Sequence, residues 1–244
     1  MDRNSLQEEE GPAQRLIVAR ILCASEVFAG WPAEAIGALL PFARLGRYRR
    51  GDQLNPHDPR AREVVLIGAG FIDVSMTTAR GRSFLLGIFG PNHILGILRL
   101  LPDTPAPYDY RVREDALVVQ LASDPLLDVI EREPALWRSV SHMVLRQYRT
   151  ALLTLINRRI GASRARVAMV LDNLAELHGV EIAGGIRLRV RVTQDDLAAM
   201  LSTTRQTVNK ELRALEAAGI VAVDYTTLTI RDRPALRRCS EAPN

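Results

Sequence analysis

The chain has 244 residues, 47% of them hydrophobic and 25% charged, with a formal net charge of +4. That is the make-up of one large or two modest water-soluble domains, and no apolar run approaches the roughly 20 residues of a bilayer-spanning helix. Only two cysteines occur, Cys23 and Cys239, which excludes a disulfide framework and an all-cysteine iron–sulfur site within one chain.

The first 15 residues, MDRNSLQEEEGPAQR, are polar and partly acidic. They are expected to form a disordered tail, and they do not resemble a secretory leader, so the expected location is cytoplasmic. From about residue 16 to 125 the chain reads as short β runs punctuated by Gly, Pro and Asp, clearest in REVVLIGAGFIDVSM, GRSFLLGIFG and DALVVQLAS. Short strands with turn signals at fairly regular spacing predict a small barrel or jelly roll. His57, His93, His142 and His178 do not pair at ligand spacing, and His93 is the best placed of them; no metal site is expected. No catalytic Ser, Cys or carboxylate constellation is apparent.

The segment EPALWRSVSHMVLRQYRTALLTLINRRI, with Pro134 near its first turn, predicts a long helix over 134–160. Leu145, Tyr148, Leu152, Leu155 and Ile156 form one apolar stripe, which either packs on its own domain or meets a second helix. This helix carries five basic and no acidic residues, whereas residues 1–133 carry 15 basic and 18 acidic, and residues 161–244 carry 12 and 10. The basic surplus in the C-terminal half favours a polyanionic partner. A linker near Gly161 precedes a helix expected to be capped by Ser163, with Val167, Val170, Leu171, Leu174 and Leu177 inward. Next, IRLRVRV alternates apolar residues with Arg187, Arg189 and Arg191, the pattern of a half-buried strand with a basic outer face.

The stretch VTQDDLAAMLSTTRQTVNKELRALEAAG then breaks into two short helices. Thr193 is the expected cap of the first, near 194–201, and Thr203 or Thr204 the cap of the second, which runs through Val208, Leu212 and Leu215 to a stop at Gly219. Two helices joined by a turn of three to four residues fit either a plain helical hairpin with a solvated face or a helix-turn-helix whose second helix enters a major groove. The exposed chemistry suits the second: Arg205 can bridge guanine O6 and N7, Gln206 and Asn209 can bridge adenine N6 and N7, and Thr193, Thr203, Thr204, Thr207 and Lys210 can hold phosphates or base edges. Val221–Val223 and Leu228–Ile230 around a turn at 224–227 predict a β-wing, completing a winged helix-turn-helix.

The block VTQDDLAAMLSTTRQTVNKELRALEAAGIVAVDYTTLTIRDRPAL resembles the DNA-binding end of the CRP/FNR family of bacterial transcription regulators, with Thr193, Leu197, Ala198, Arg205, Thr207, Val208, Lys210, Leu212, Leu215, Glu216, Gly219, Ile220, Asp232 and Leu236 on the family pattern. Its best-known members have Glu where this chain has Gln206 and Arg where it has Lys210, so a different operator base is expected opposite Gln206.

The resemblance implies an α+β chain: an N-terminal cyclic-nucleotide-binding-like β-roll over 16–133, a dimerisation helix over 134–160, and a C-terminal winged helix-turn-helix over 161–244. It places Gly51, Gly70, Gly81 and Gly96 at bends of the roll. The family turn G-D-x-x-G-E reads Asn92-His93-Ile94-Leu95-Gly96-Ile97 here; Asn92 suits a left-handed turn, but Ile97 stands where cyclic-AMP-binding members hold the ribose with Glu. No Arg-Ser or Arg-Thr pair follows to hold the cyclic phosphate, and the first arginine of LPDTPAPYDYRV, Arg111, lies outside that motif. Cyclic AMP is therefore not the expected effector. Ile97, Leu98, Leu101 and Arg111 are the candidate pocket for another small ligand, with core packing as the alternative for the three apolar residues.

The expected protein is thus a sequence-specific DNA-binding regulator and not an enzyme, with double-stranded DNA, a second copy of itself and, for an activator, RNA polymerase as partners, no membrane partner, and no resident cofactor or metal. The competing readings are a cofactor- or metal-binding barrel enzyme and a cyclic-nucleotide-binding interaction module, each with an accessory winged helix.

Overall fold

The computed structural model describes residues 11–54, 62–78, 81, 83–101, 108–160, 162–224 and 227–241. They pack as two units, one formed by residues up to Ile72 together with Gly90–Val144, the other by Asp73–Phe89 together with Leu145 onward. The fold is α+β, as expected.

The first unit opens with two helices, α1 (Pro12–Ala24) and α2 (Ala33–Leu39), where the sequence reading expected a tail to residue 15 and β runs from 16. Residues 12–15 are the first turn of α1, begun by Pro12, whose fixed φ and missing N–H suit a helix start; residues 1–10 lie outside the described part. Val18 and Leu22, four apart, are the buried face of α1, and Ala35, Ile36 and Leu39 that of α2. The strands follow as β1 (Ala43–Tyr48), β2 (Gln53–Leu54), β3 (Glu63–Thr77), β4 (Ser83–Phe89), β5 (Ile94–Leu95) and β6 (Tyr108–Ala122). Their order is β1-β6-β3-β4, with β2 on β6 and β5 on β3.

The long strand β6 is the spine of this sheet, antiparallel to β1 from Ala43↔Leu121 to Tyr48↔Ala116 and to β2 at Gln53↔Arg111. Gly70 has φ +80°, and a Cβ there would lie 2.3 Å from the Asp115 carbonyl oxygen, so only glycine fits the bend. Asn92 does adopt the left-handed conformation, at φ 73°. After β6 come α3 (Ser123–Arg132) and α4 (Trp137–Ile160); the residues of α4 up to Val144 belong to the first unit and the rest to the second. Leu22, Phe28, Leu39, Leu66, Leu121, Leu126, Ile130 and Met143 are buried together in one core, with Phe28 edge-on to Trp31 at 4.7 Å between ring centres.

The second unit adds α5 (Ser163–His178), β7 (Gly179–Ile182), β8 (Gly185–Leu188), α6 (Gln194–Leu201), α7 (Arg205–Ala217), β9 (Val221–Val223), β10 (Leu228–Ile230) and α8 (Arg233–Glu241). Its four strands are ordered β7-β8-β10-β9, all antiparallel. Leu171, Leu174, Leu197, Leu201, Val208, Leu212, Leu215, Ile230 and Leu236 form its core. Three local expectations shift. Ser163 is the first helical residue of α5 behind Ala162, with no side-chain cap bond. The strand expected over 186–192 ends at Leu188, although the alternation of buried Leu188 and Val190 with exposed Arg187, Arg189 and Arg191 persists. Finally, β4 and the outer end of β3, read from sequence as part of the N-terminal region, pack within the second unit. There the fully buried ring of His178 sets Nε2 2.8 Å from the Ile88 carbonyl oxygen.

Candidate nucleic-acid interface

The helix pair α6–α7 is built from its caps. At α6, the Thr193 hydroxyl accepts from the Asp196 backbone N–H at 3.1 Å, while the Asp196 carboxylate accepts from the Thr193 N–H at 2.8 Å, a reciprocal box that satisfies two otherwise orphaned donors. Asp195 and Asp196 in the first turn also complement the positive helix end. At the other end Ser202 takes the left-handed conformation (φ 51°, ψ 45°) and turns the chain out of the helix. Two residues later Thr204 caps α7, its hydroxyl accepting from the Thr207 N–H at 3.2 Å. That is why the amphipathic pattern is interrupted: the polar residues 202–204 stop one helix and start the next.

α7 then divides by chemistry. Val208, Leu212 and Leu215 face the core, and Glu211 beside them is buried and paired with Arg164 Nε of α5 at 3.2 Å. Burying a carboxylate is costly unless it is paired, so this contact fixes the seating of α7 on α5. On the opposite side Thr204, Arg205, Gln206 and Lys210 are exposed, while Thr203, Thr207 and Asn209 are half-buried. Arg205 and Asn209 are four residues apart, as are Gln206 and Lys210, which makes two adjacent rows on one face. Arg213, two turns beyond Arg205, extends this exposed face and was not among the expected residues, although its i+8 spacing marked it. The half-buried Gln194 of α6 was also missed; its side chain reaches both Arg205 and Asn209.

α8 braces this unit from behind. Arg233 reaches Asp172 at 2.5 Å and Glu176 at 3.1 Å on α5, and Arg237 Nε reaches Asp172 at 3.1 Å. The hydrogen bond that Arg233 donates to the Asp172 carboxylate holds its guanidinium above its usual range, so this cation keeps its charge at any physiological pH.

The other expected residues lie in the first unit. Ile97 is half-buried against the core, Leu98 and Leu101 are 38% and 55% exposed, and Arg111 is exposed on β6 opposite Gln53. Two neighbours that no sequence pattern marks are more enclosed: Arg99 (8% exposed) and Tyr110 (2%). The Arg99 Cδ and the Tyr110 hydroxyl each lie 3.6 Å from where a Cβ on Gly96 would sit. Burial pushes the Tyr110 phenol above its ordinary value, and Arg99 opposes that shift. A separate cavity of about 300 Å³ opens beside α1, lined by Ile17, Arg20, Ile21, Ala24, Gly68, Asn92 and Leu117.

His93 Nδ1 lies 3.0 Å from the Gly90 carbonyl oxygen within its own turn, His142 is exposed on α4, and His57 lies outside the described residues. Cys23 is exposed and Cys239 half-buried. No three His, Cys, Asp or Glu side chains among the described residues converge as a metal site would require.

Residues 45–133 match the family described as cyclic nucleotide-binding domain, and residues 165–239 match the Crp-like helix-turn-helix domain. Over 218 residues the chain is 24% identical to a CRP-like cAMP-activated global transcriptional regulator of Mycobacterium tuberculosis, covering 89% of this chain and 97% of that relative. It is 26% identical over 186 residues to the Anaerobic regulatory protein of Bacillus subtilis, covering 73% and 76% of the two chains. A solved structure of a CooA mutant from Carboxydothermus hydrogenoformans, 23% identical, shares the fold with a TM-score of 0.67 over 84% of this chain and 90% of that one. A CRP-family transcriptional regulator from Thermus thermophilus, 22% identical, does so with a TM-score of 0.63 over 81% and 97%.

Proposed function

We propose that this chain, which belongs to the CRP/FNR family of DNA-binding transcription regulators, acts as a homodimer on a palindromic operator and answers to a small effector other than cyclic AMP. The observation that carries the DNA contact is the face of α7: Arg205, Gln206, Asn209 and Lys210 stand in two rows just beyond the Thr204 cap, while Val208, Leu212 and Leu215 anchor the helix from behind. Arg205 and Gln206 read base edges, Thr193 and Thr204 hold phosphates at two helix N-termini, and Lys210 contacts bases or phosphates further along the groove.

Three apolar residues exposed along α4, Leu145, Tyr148 and Leu152, support a helix-to-helix dimer, whereas Leu155 and Ile156 have side chains outside the described part. A two-fold axis there would set two copies of α7 about 34 Å apart, one turn of the duplex. The domain bounds implied by the family, with the roll at 16–133, the dimer helix at 134–160 and the DNA-binding block from 161, belong to this reading.

Ile97, packed on the core, supports an effector other than cyclic AMP, because no carboxylate stands there to hold a ribose. The effector acts by differential affinity for the DNA-competent arrangement, so the protein binds rather than catalyses. It works in the cytoplasm, where its DNA is, and as an activator it would also contact RNA polymerase. No helix among the described residues is long and apolar enough to cross a membrane.

Selection of bound duplexes from a random library by the purified chain, with and without cyclic AMP, tests this reading. The expected result is an enriched palindrome that cyclic AMP does not alter. Enrichment of a single half-site, with a monomer in sedimentation, would overturn the dimer; enrichment dependent on cyclic AMP would overturn the effector assignment.

A further inference from the structure

Gln194 is the first helical residue of α6 and sits across the turn from the reading face of α7. Its Oε1 accepts from Arg205 Nε at 3.4 Å, and its Nε2 donates to Asn209 Oδ1 at 3.4 Å. A neighbouring carboxylate, Asp195, lies 3.6 Å from Arg205 Nη1. One side-chain amide therefore bridges two residues that stand one turn apart on the same face. An amide has an acceptor at one end and donors at the other, so such a bridge has a direction. The guanidinium can only donate, which assigns the Gln194 oxygen to Arg205 and leaves the Gln194 amino group for Asn209.

The direction has a consequence for base reading. With Asn209 Oδ1 engaged, the atoms left to face outward are the two N–H groups on Nδ2. An asparagine in that state seeks an acceptor, such as purine N7, guanine O6 or thymine O4, and does not match the donor N4–H₂ of cytosine. The bidentate adenine contact, which needs the oxygen as well, would have to share Oδ1 with the Gln194 amino group and is disfavoured by that competition.

We propose that Gln194 is a specificity-determining positioning residue. It reads no base itself; it fixes Asn209 as a donor and holds the Arg205 guanidinium by its Nε edge. This rests on the reading of α7 as the recognition helix.

The test is duplex selection with the full chain and two variants. In Gln194→Ala the bridge is absent, and discrimination should fall by roughly tenfold at the positions facing Arg205 and Asn209 while distal positions hold. In Gln194→Glu both oxygens accept, so Arg205 stays held but Asn209 must turn its Nδ2 inward and present Oδ1. The base facing Asn209 should then change to one offering a donor, cytosine N4 or adenine N6. A helical circular-dichroism signal and a melting temperature like those of the unsubstituted chain confirm that both variants are folded.

If the unsubstituted chain selects a defined half-site and both folded variants select the same one, Gln194 is only a helix-start residue and the proposal fails alone. If the unsubstituted chain selects a defined half-site and a folded Arg205→Ala variant selects that same half-site with undiminished discrimination, the recognition-helix reading fails and takes this inference with it.

Discussion

The candidate sites of the two units use their polar side chains in opposite ways. In the second, Arg205, Gln206 and Lys210 stay in solvent on a helix whose other side is anchored by Val208, Leu212 and Leu215. In the first, Arg99 and Tyr110 are turned inward beside Gly96, and the surface residues of the same turn, Leu98 and Leu101, are apolar. Keeping a guanidinium in water costs little until a partner arrives, whereas enclosing one requires the fold itself to supply compensation. A surface that reads a long polymer is therefore built cheaply on a scaffold, and an interior is committed to one arrangement. It follows that damage to the scaffold, to the reading face and to the interior should differ in kind as well as in size.

The largest effect is expected from Leu212→Ala, which removes the anchor behind the reading face. It should cost about 2–5 kcal/mol of stability in denaturant titration and abolish operator binding wherever the second unit is melted. If binding were lost with no change in stability, the division between scaffold and face would be wrong. Next, Arg205→Ala should leave the melting transition unchanged and cost about 1–3 kcal/mol of specific binding, with relaxed preference at one base position. An unaltered operator preference in repeated selection would remove Arg205 from the reading face.

Thr193→Ala opens the reciprocal cap of α6 and should cost about 1 kcal/mol of stability, with a smaller loss of binding through lost phosphate contact. The smallest effect belongs to the interior. The Tyr110 phenol is raised in the folded state, mainly by burial, so the folded protein binds that proton more tightly than the unfolded chain. The associated stability is fully present below the ordinary tyrosine value of 10.0 and is lost as pH rises through the raised folded value. Tyr110→Phe should leave the pH dependence of unfolding unchanged between pH 6 and pH 9, roughly, and flatten the decline above about pH 10. An equal decline in both proteins would mean that Tyr110 does not sense the interior as its burial implies.

The same contrast explains what could be read from the chain alone. The helix pair α6–α7 was legible because its determinants are local: a cap, two acidic residues, a turn and a period of 3.6, all within 28 residues. α1 reads as a β run because Ile17, Val18 and Ile21 carry a β-branched signal, which burial of Val18 and Leu22 against distant strands overrides. The packing of β4 beside His178 joins residues 90 apart, and no periodicity announces that. Arg99 and Tyr110 were passed over for a related reason, since a single charged residue in an apolar run gives no sign of facing inward. Gln194 lay in plain view but carried no signal until its distance to Asn209 was known, because a polar residue at a helix start is ordinary.

Of the 32 Lys and Arg residues only one, Lys210, is a lysine, and it is exposed on α7. A lysine-specific endoprotease therefore has a single peptide bond to attack, inside the helix assigned to the groove. Cleavage needs an extended strand, so the rate of that one cut measures how often α7 locally unravels, and its slowing in the presence of a duplex would give a footprint without a label.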